Sequence, residues 1–168
     1  PKSFEALAET AIPRLLENRE NRDDPIRIWV AGCSTGEEPY SAAMVVLEAL
    51  EAAEQDVPVQ LFGTDISEDA IRVARDGLYP QSIAEDVSPA RLRRFFTRKE
   101  DHYQINRDVR ARCVFALHDL TRDPPYSRMD LIICRNLLIY LGEDLQRRVL
   151  NALHYALKPD GLLMLGPS

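Results

Sequence analysis

The chain has 168 residues, 45% of them hydrophobic and 29% charged, with a formal net charge of −6. That length and apolar content fit one domain with a real core and exclude a disordered or collagen-like chain, and the acidic balance argues against nucleic acid as the main partner. Three cysteines (Cys33, Cys113, Cys134) without a C-x-x-C pair exclude a disulfide framework or zinc cluster, no apolar run reaches the ~20 residues of a membrane span, and no signal peptide is evident, so a cytoplasmic setting is expected.

Pro1 is not an initiator methionine, so the chain reads as a fragment of a longer protein. Ile26 to Ala31 (IRIWVA) is β-branched and apolar and predicts a buried strand. Pro39 to Glu54 predicts a helix, with Ala43, Leu47 and Leu50 as its apolar stripe and Pro39 in the first turn. Val59 to Thr64 predicts a second strand that ends at Asp65. Ser67 is the expected N-cap of SEDAIRVARDG, with Gly77 just past its end. Ser88-Pro89 opens a short helix, SPARLRRFF. CVFAL (113–117), LIIC (131–134) and LLML (162–165) predict further strands. Leu141, Leu145, Val149, Leu153 and Leu157 recur every four residues and place a helix between the last two. Strand–helix alternation with continuously apolar strands implies an α/β fold, a parallel sheet covered on both faces. Residues 78–112 break the alternation, which leaves a small inserted subdomain or a long crossover.

In open α/β sheets ligands bind beyond the carboxyl ends of the strands. Four polar clusters fall there: the Gly32–Glu38 loop, Asp65, His118-Asp119-Leu120 and Arg135-Asn136. Gly32 and Gly36 permit a tight turn and close approach of a ligand. The loop is neither G-x-G-x-x-G nor a phosphate loop, and Glu37 and Glu38 would repel a pyrophosphate and favour a cationic ligand. An acid-capped strand–turn–helix junction is the competing reading. Asp65 stands where a carboxylate accepts ribose hydroxyls, or is a helix-entry acid. Asp119 is placed to accept from an adenine amino group, or is a turn residue. Tyr140, four residues after Asn136, would share its face if that segment were helical. The histidines show no metal-ligand spacing, so no metal is expected, and Cys33 reads as a packing residue rather than a nucleophile.

The strings AGCSTGEEPYSAAM (31–44), FGTDIS (62–67), ARDGLYP (74–80), RFFTR (94–98), HDL (118–120), DLIICRNLLIYL (130–141) and LKPDGLLMLG (157–166) resemble the CheR family, the S-adenosylmethionine-dependent glutamate methyltransferases of bacterial chemoreceptors. The wording is closest to members fused to methylesterase and sensory domains. The resemblance implies a Rossmann-like methyltransferase sheet with a small antiparallel β subdomain, over a catalytic domain spanning 1–168. It implies that Gly32, Gly36 and Glu38 or Glu37 hold the methionine part of S-adenosylmethionine, with S-adenosylhomocysteine as product. Asp65 would take the ribose, Asp119 and Leu120 the adenine, and Arg135, Asn136 and Tyr140 would line the methyl-transfer centre. The family often has asparagine where Asp119 stands. The family's helical N-terminal subdomain and T-x-F-F-R segment would lie before Pro1, which makes this piece weak or inactive by itself. The short stretch between Arg98 and Tyr103 resembles members that do not depend on a receptor's C-terminal pentapeptide.

A substrate glutamate is ionised at neutral pH, with a pKa near ~4.3, so no general base is needed. An arginine beside a sulfonium is electrostatically awkward, so Arg135 is expected to face the substrate or a structural acid. Arg91–Arg112 holds eight Arg/Lys and three Asp/Glu, a local net of +5. That segment either steers an acidic receptor helix or is a solvated helix face. Two other classes remain beside the receptor methyltransferase. One is a non-catalytic S-adenosylmethionine-binding sensor or interaction module of a hybrid signalling protein. The other is a small-molecule methyltransferase or oxidoreductase on the same fold.

Overall fold

β-Branched and aromatic residues set the strands, and glycines with acidic first turns set the helix entries. The computed structural model describes residues 2–166. The chain begins with α1 (Lys2–Ala6), a π-helical turn (Leu7–Ala11) and α2 (Ile12–Glu17). There follow β1 (Ile26–Ala31), α3 (Glu37–Ala52), β2 (Val59–Asp65), α4 (Glu68–Asp76) and β3 (Leu78–Pro80). After a 3₁₀ turn (Gln81–Glu85) come α5 (Pro89–Phe95), β4 (Phe96–Lys99), β5 (His102–Ile105) and α6 (Arg107–Arg110). The last part contains β6 (Cys113–Leu117), β7 (Met129–Cys134), a 3₁₀ turn (Leu138–Tyr140), α7 (Glu143–Ala156) and β8 (Leu157–Leu165).

The main sheet has the order β6-β2-β1-β7-β8, and every pairing in it is parallel. Alternate residues of β1 serve opposite faces. Ile28 and Val30 join one cluster with Tyr40 and Val46 of α3, Ile71 of α4 and Phe115 of the β6 strand, while Trp29 and Ala31 join α7 through Val149, Leu153 and Ala156. Both faces are therefore buried, as the continuously apolar strands predict. Ala31 pairs with Thr64 on one side and Cys134 on the other, and Asp65 pairs with Leu117. Four carboxyl ends thus lie on one rim, and the strand order reverses between β1 and β7.

Residues 78–105 hold a second, three-stranded antiparallel sheet of order β3-β5-β4, and Glu100-Asp101 makes the turn between β4 and β5. Ser67 caps α4 by accepting from the Ala70 N–H at 3.2 Å, Gly77 ends it in the left-handed region, and Ser88 caps α5 by accepting from Arg91.

Three boundaries differ from the sequence reading. α3 starts two residues early, because left-handed Gly36 ends the loop there and Glu37 and Glu38 favour the positive end of the helix dipole. α7 covers only the middle of the leucine stripe: Leu141 is extended and Leu157 already belongs to β8. β8 begins five residues before LLML, passing Pro159 and Gly161 through an irregularity in its register with β7. A Cβ at Gly161 would lie 2.9 Å from the Met129 carbonyl oxygen, so glycine is required there. The N-terminal helices, which no strong periodicity signals, bury Leu7, Ile12 and Leu15 against the α3 side.

Candidate functional site

The loop after β1 curls back over the end of β2. The N–H groups of Gly32 and Cys33 both donate to the Thr64 carbonyl at 2.8 Å, and Gly36 N–H donates to Cys33 O at 3.0 Å. Gly32, Ser34 and Gly36 have φ of 72°, 48° and 93°, so three of five residues are left-handed. Asp65 ties this curl to the next helix. Its Oδ2 accepts the Ser34 N–H at 2.8 Å and its Oδ1 accepts the Ser67 N–H at 3.0 Å. Each carboxylate oxygen keeps further accepting capacity toward the rim. Asp65 is thus a helix-entry acid that accepts from both Ser34 and Ser67.

Glu37 and Glu38 differ. Glu37 is exposed and accepts the Thr35 hydroxyl. Glu38 is mostly buried and accepts from Arg135 Nη1 at 3.1 Å across the β1–β7 switch point. Burial raises the Glu38 carboxyl above its ordinary range, and the Arg135 charge and hydrogen bond work against that rise. Arg135 thus meets a structural acid, one of the two alternatives expected for it. Its guanidinium carbon lies 5.8 Å from the centre of the Phe4 ring, and its buried Nε has no partner among the described residues. Glu38 and Arg135 are 97 residues apart, so only the fold brings this ion pair together.

Asp119 is built as a turn. Its Oδ1 accepts the N–H and the hydroxyl of Thr121 at 2.9 and 2.6 Å, and its own N–H donates to Asp123. The two Thr121 bonds hold its carboxyl below the usual range. Neighbouring His118 N–H donates to the Asp65 carbonyl, which docks this turn beside Asp65. Leu120 packs on the Trp29 side of the sheet.

The shared helix face anticipated for Asn136 and Tyr140 does not exist. Asn136 has φ of 60°, which breaks any helix starting at Arg135, and only the single 3₁₀ turn follows. Tyr140 is 80% exposed and stands outside the rim's packed contacts. Among the described residues, no cluster of His, Cys, Asp or Glu is arranged to hold a metal ion. Burial pushes the Cys33 thiol up to about 12, so it is a poor nucleophile at neutral pH.

Several contributors escaped sequence reasoning. Ser34 acts through its backbone N–H, which no side-chain motif reveals. Ile66, next to Asp65, is 75% exposed, an apolar surface on the rim. Tyr79 of the small sheet donates its hydroxyl to the Thr35 carbonyl at 2.7 Å. A hydrophobic residue after a strand-ending acid is the signal that would have found Ile66. A concavity of about 540 Å³ lies elsewhere, at the amino ends of the strands, among Asn18, Arg19, Arg128, Lys158 and Asp160.

The family model described as "CheR methyltransferase, SAM binding domain" matches residues 1–168. A 104.1 kDa protein from the hypE 3′ region of Rhodobacter capsulatus is 41% identical over all of this chain, which covers 18% of that protein. Chemotaxis protein methyltransferase 1 of Pseudomonas aeruginosa is 34% identical over 98% of this chain, and its namesake in Vibrio cholerae is 35% identical over 98%. The chain spans 61% and 60% of these two relatives. Among solved structures, the DszA carbon methyltransferase superposes with a TM-score of 0.57 at 20% identity, covering 96% of this chain and 33% of that one. The glycopeptide N-methyltransferase MtfA gives 0.52 at 14% identity, covering 92% and 49%. At these identities the likeness concerns the fold, a methyltransferase α/β sheet.

Proposed function

We propose, from the premise that this chain belongs to the CheR methyltransferase family, that it binds S-adenosylmethionine at the β1–β7 rim and serves methyl transfer to glutamate side chains of chemoreceptors. The observation that carries the reading is the convergence on one rim of the left-handed Gly32–Gly36 loop, the Asp65 carboxylate and the half-neutralised Glu38. These donors fit the ligand's chemistry. Asp65 offers lone pairs to a ribose, exposed Ile66 offers an apolar face, and Glu37 and Glu38 offer negative charge to a ligand that carries ammonium and sulfonium groups. Of the two glutamates, Glu38 is assigned the ligand contact, because it is the one held at the switch point. Asp119 and Leu120 are assigned to the adenine edge, with Asp119 Oδ2 as the acceptor not spent on Thr121.

Bound S-adenosylmethionine supplies an electrophilic methyl group. The rest of the task is positioning. A glutamate carboxylate is already ionised at neutral pH, so the chain needs to strip its water and aim one oxygen rather than remove a proton. Arg135 carries five donors, and Glu38 takes one of them, so the guanidinium keeps donors for a substrate carboxylate. Tyr140, on the open side of the rim, is assigned to the incoming substrate segment, and Asn136 to the base of the same wall. The two-residue turn between β4 and β5 supports receptor binding without a grip on a C-terminal pentapeptide. Among the described residues no helix is long and apolar enough to cross a membrane.

The exposure of Tyr140 and the mutual engagement of Glu38 and Arg135 favour, as a second reading, a module that binds the ligand without turnover. Two measurements separate the readings. Calorimetry with S-adenosylhomocysteine tests binding, and no heat would remove both. Labelled-methyl transfer to receptor-bearing membranes tests catalysis. Base-labile label, lost in Arg135→Ala, is expected for the enzyme, and binding without label would leave only the module.

A further inference from the structure

We infer that Tyr79 is a positioning residue for the ligand loop, so that the small sheet forms part of the site rather than an appendage to it. This rests on the reading above that the Gly32–Gly36 loop holds S-adenosylmethionine. Tyr79 lies at the centre of β3, paired with Tyr103 of β5, and is 3% exposed. Its hydroxyl crosses to the main sheet and donates to the Thr35 carbonyl at 2.7 Å. Thr35 is a loop residue with left-handed neighbours on both sides, and its side chain orients Glu37. A Cβ on Gly36 would come within 3.0 Å of the same hydroxyl, so the tyrosine also fixes how closely the loop can be approached from behind. A loop that curls through three left-handed residues has few backbone bonds of its own. An outside donor on the Thr35 carbonyl therefore selects one shape before the ligand arrives, which lowers the ordering cost of binding.

Tyr40 supplies an internal comparison. It is 1% exposed, meets Tyr79 edge to face at 6.2 Å, and also donates its hydroxyl to one backbone carbonyl, Ala74 O at 2.6 Å. That carbonyl belongs to α4, which is held by its own ladder. The two hydroxyls are alike in burial and bonding and differ in which carbonyl they hold.

The test is calorimetric titration of the protein with S-adenosylhomocysteine at a temperature well below every melting point, for wild type, Tyr79→Phe and Tyr40→Phe. Both variants are expected to melt somewhat lower. Only Tyr79→Phe is expected to bind more weakly, by roughly three- to tenfold, the worth of one net hydrogen bond. In methyl transfer the same variant should show a raised KM for S-adenosylmethionine with kcat little changed. Equal affinity in Tyr79→Phe and wild type would overturn the inference, as would equal weakening in both variants, since that would mark general loosening. Absence of binding by wild type would instead refute the ligand reading itself.

Discussion

Gly36→Ala probes the loop where its geometry is least forgiving, and two other glycines grade the effect. At φ of 93° an alanine pays the left-handed penalty of about 1–2 kcal/mol. Its Cβ would also sit 2.8 Å from Ala74 Cβ and 3.0 Å from Ala74 Cα. Those atoms belong to α4, so they cannot swing aside as a flexible side chain would, and overpacking of this kind costs about 1–3 kcal/mol. The sum is about 3 kcal/mol, or roughly 6–12 °C in Tm for a chain of this size. Gly32 shares the left-handed φ, at 72°, but its nearest obstacle is Leu137 at 3.6 Å, so Gly32→Ala should cost only the backbone part, about 1–2 kcal/mol. Gly142 caps α7 with φ of −67° and nothing within 4 Å. Gly142→Ala lowers the entropy of the unfolded chain, which stabilises a little, and loses a little N-cap preference, for a net change within about 0.5 kcal/mol. Urea unfolding of the three variants should give the order Gly142, Gly32, Gly36. If Gly36→Ala matched Gly32→Ala, α4 would have retreated freely, and the claim that the loop is clamped between β2 and α4 would be wrong.

Asp65→Asn replaces two accepting oxygens with one, so the Ser34 or the Ser67 N–H must face an amide N–H. A stability loss of about 1–3 kcal/mol by urea unfolding and at least a tenfold loss of S-adenosylhomocysteine affinity by calorimetry are expected, taking the upper part of the usual range for a lost partner. Trp29→Phe removes a buried donor to the Thr64 hydroxyl at 2.9 Å and leaves a void on the α7 face. It should cost about 2–4 kcal/mol by the same unfolding assay. Glu38 gives a pH signature with two opposite signs. Because its carboxyl is raised above 4.5 in the folded chain, the folded state holds the proton more tightly, and this group's contribution to stability declines as pH rises through the window above 4.5. Affinity for a cationic ligand rises over the same window as Glu38 ionises. Glu38→Gln should flatten both trends in melting and calorimetric pH series.

The sheet was legible because its strands are continuously apolar and its helices are separated by caps such as Ser67, Gly77 and Ser88. These are local signals, and the structure honours each. The four clusters of the rim were legible for the same reason, since a polar residue directly after a buried strand marks a carboxyl end. What stayed hidden was pairing at long range. No local pattern couples Glu38 to Arg135 across 97 residues, or Tyr79 to Thr35 across 44. The helical condition set for a shared Asn136–Tyr140 face is not met, because asparagine tolerates the left-handed region and Asn136 takes it. The basic segment 91–112 is not uniform. Arg91 and Arg94 are bonded to Glu48 and Glu51 of α3, so their charge is spent in attaching α5 to the main domain.

The Glu38–Arg135 pair resolves the electrostatic awkwardness of an arginine at a cationic ligand's site. With the two partners in contact, their own charges largely cancel at the switch point. A carboxylate can accept from more than one donor, and Arg135 Nη1 bonds only one Glu38 oxygen. An arriving ammonium group can therefore take the other oxygen without breaking the pair. The shared carboxylate then has less negative charge to offer Arg135, which leaves the guanidinium better able to bind an incoming glutamate carboxylate. On this logic cofactor binding primes the substrate position through one residue, and Glu38→Gln should weaken S-adenosylmethionine and receptor binding together, although Glu38 touches only one of them. Receptor-fragment affinity measured with and without saturating S-adenosylhomocysteine checks it. Wild type should bind the fragment more tightly with the ligand present, and Glu38→Gln should show no difference. An equal ligand effect in both proteins would mean that the pair is only a structural staple.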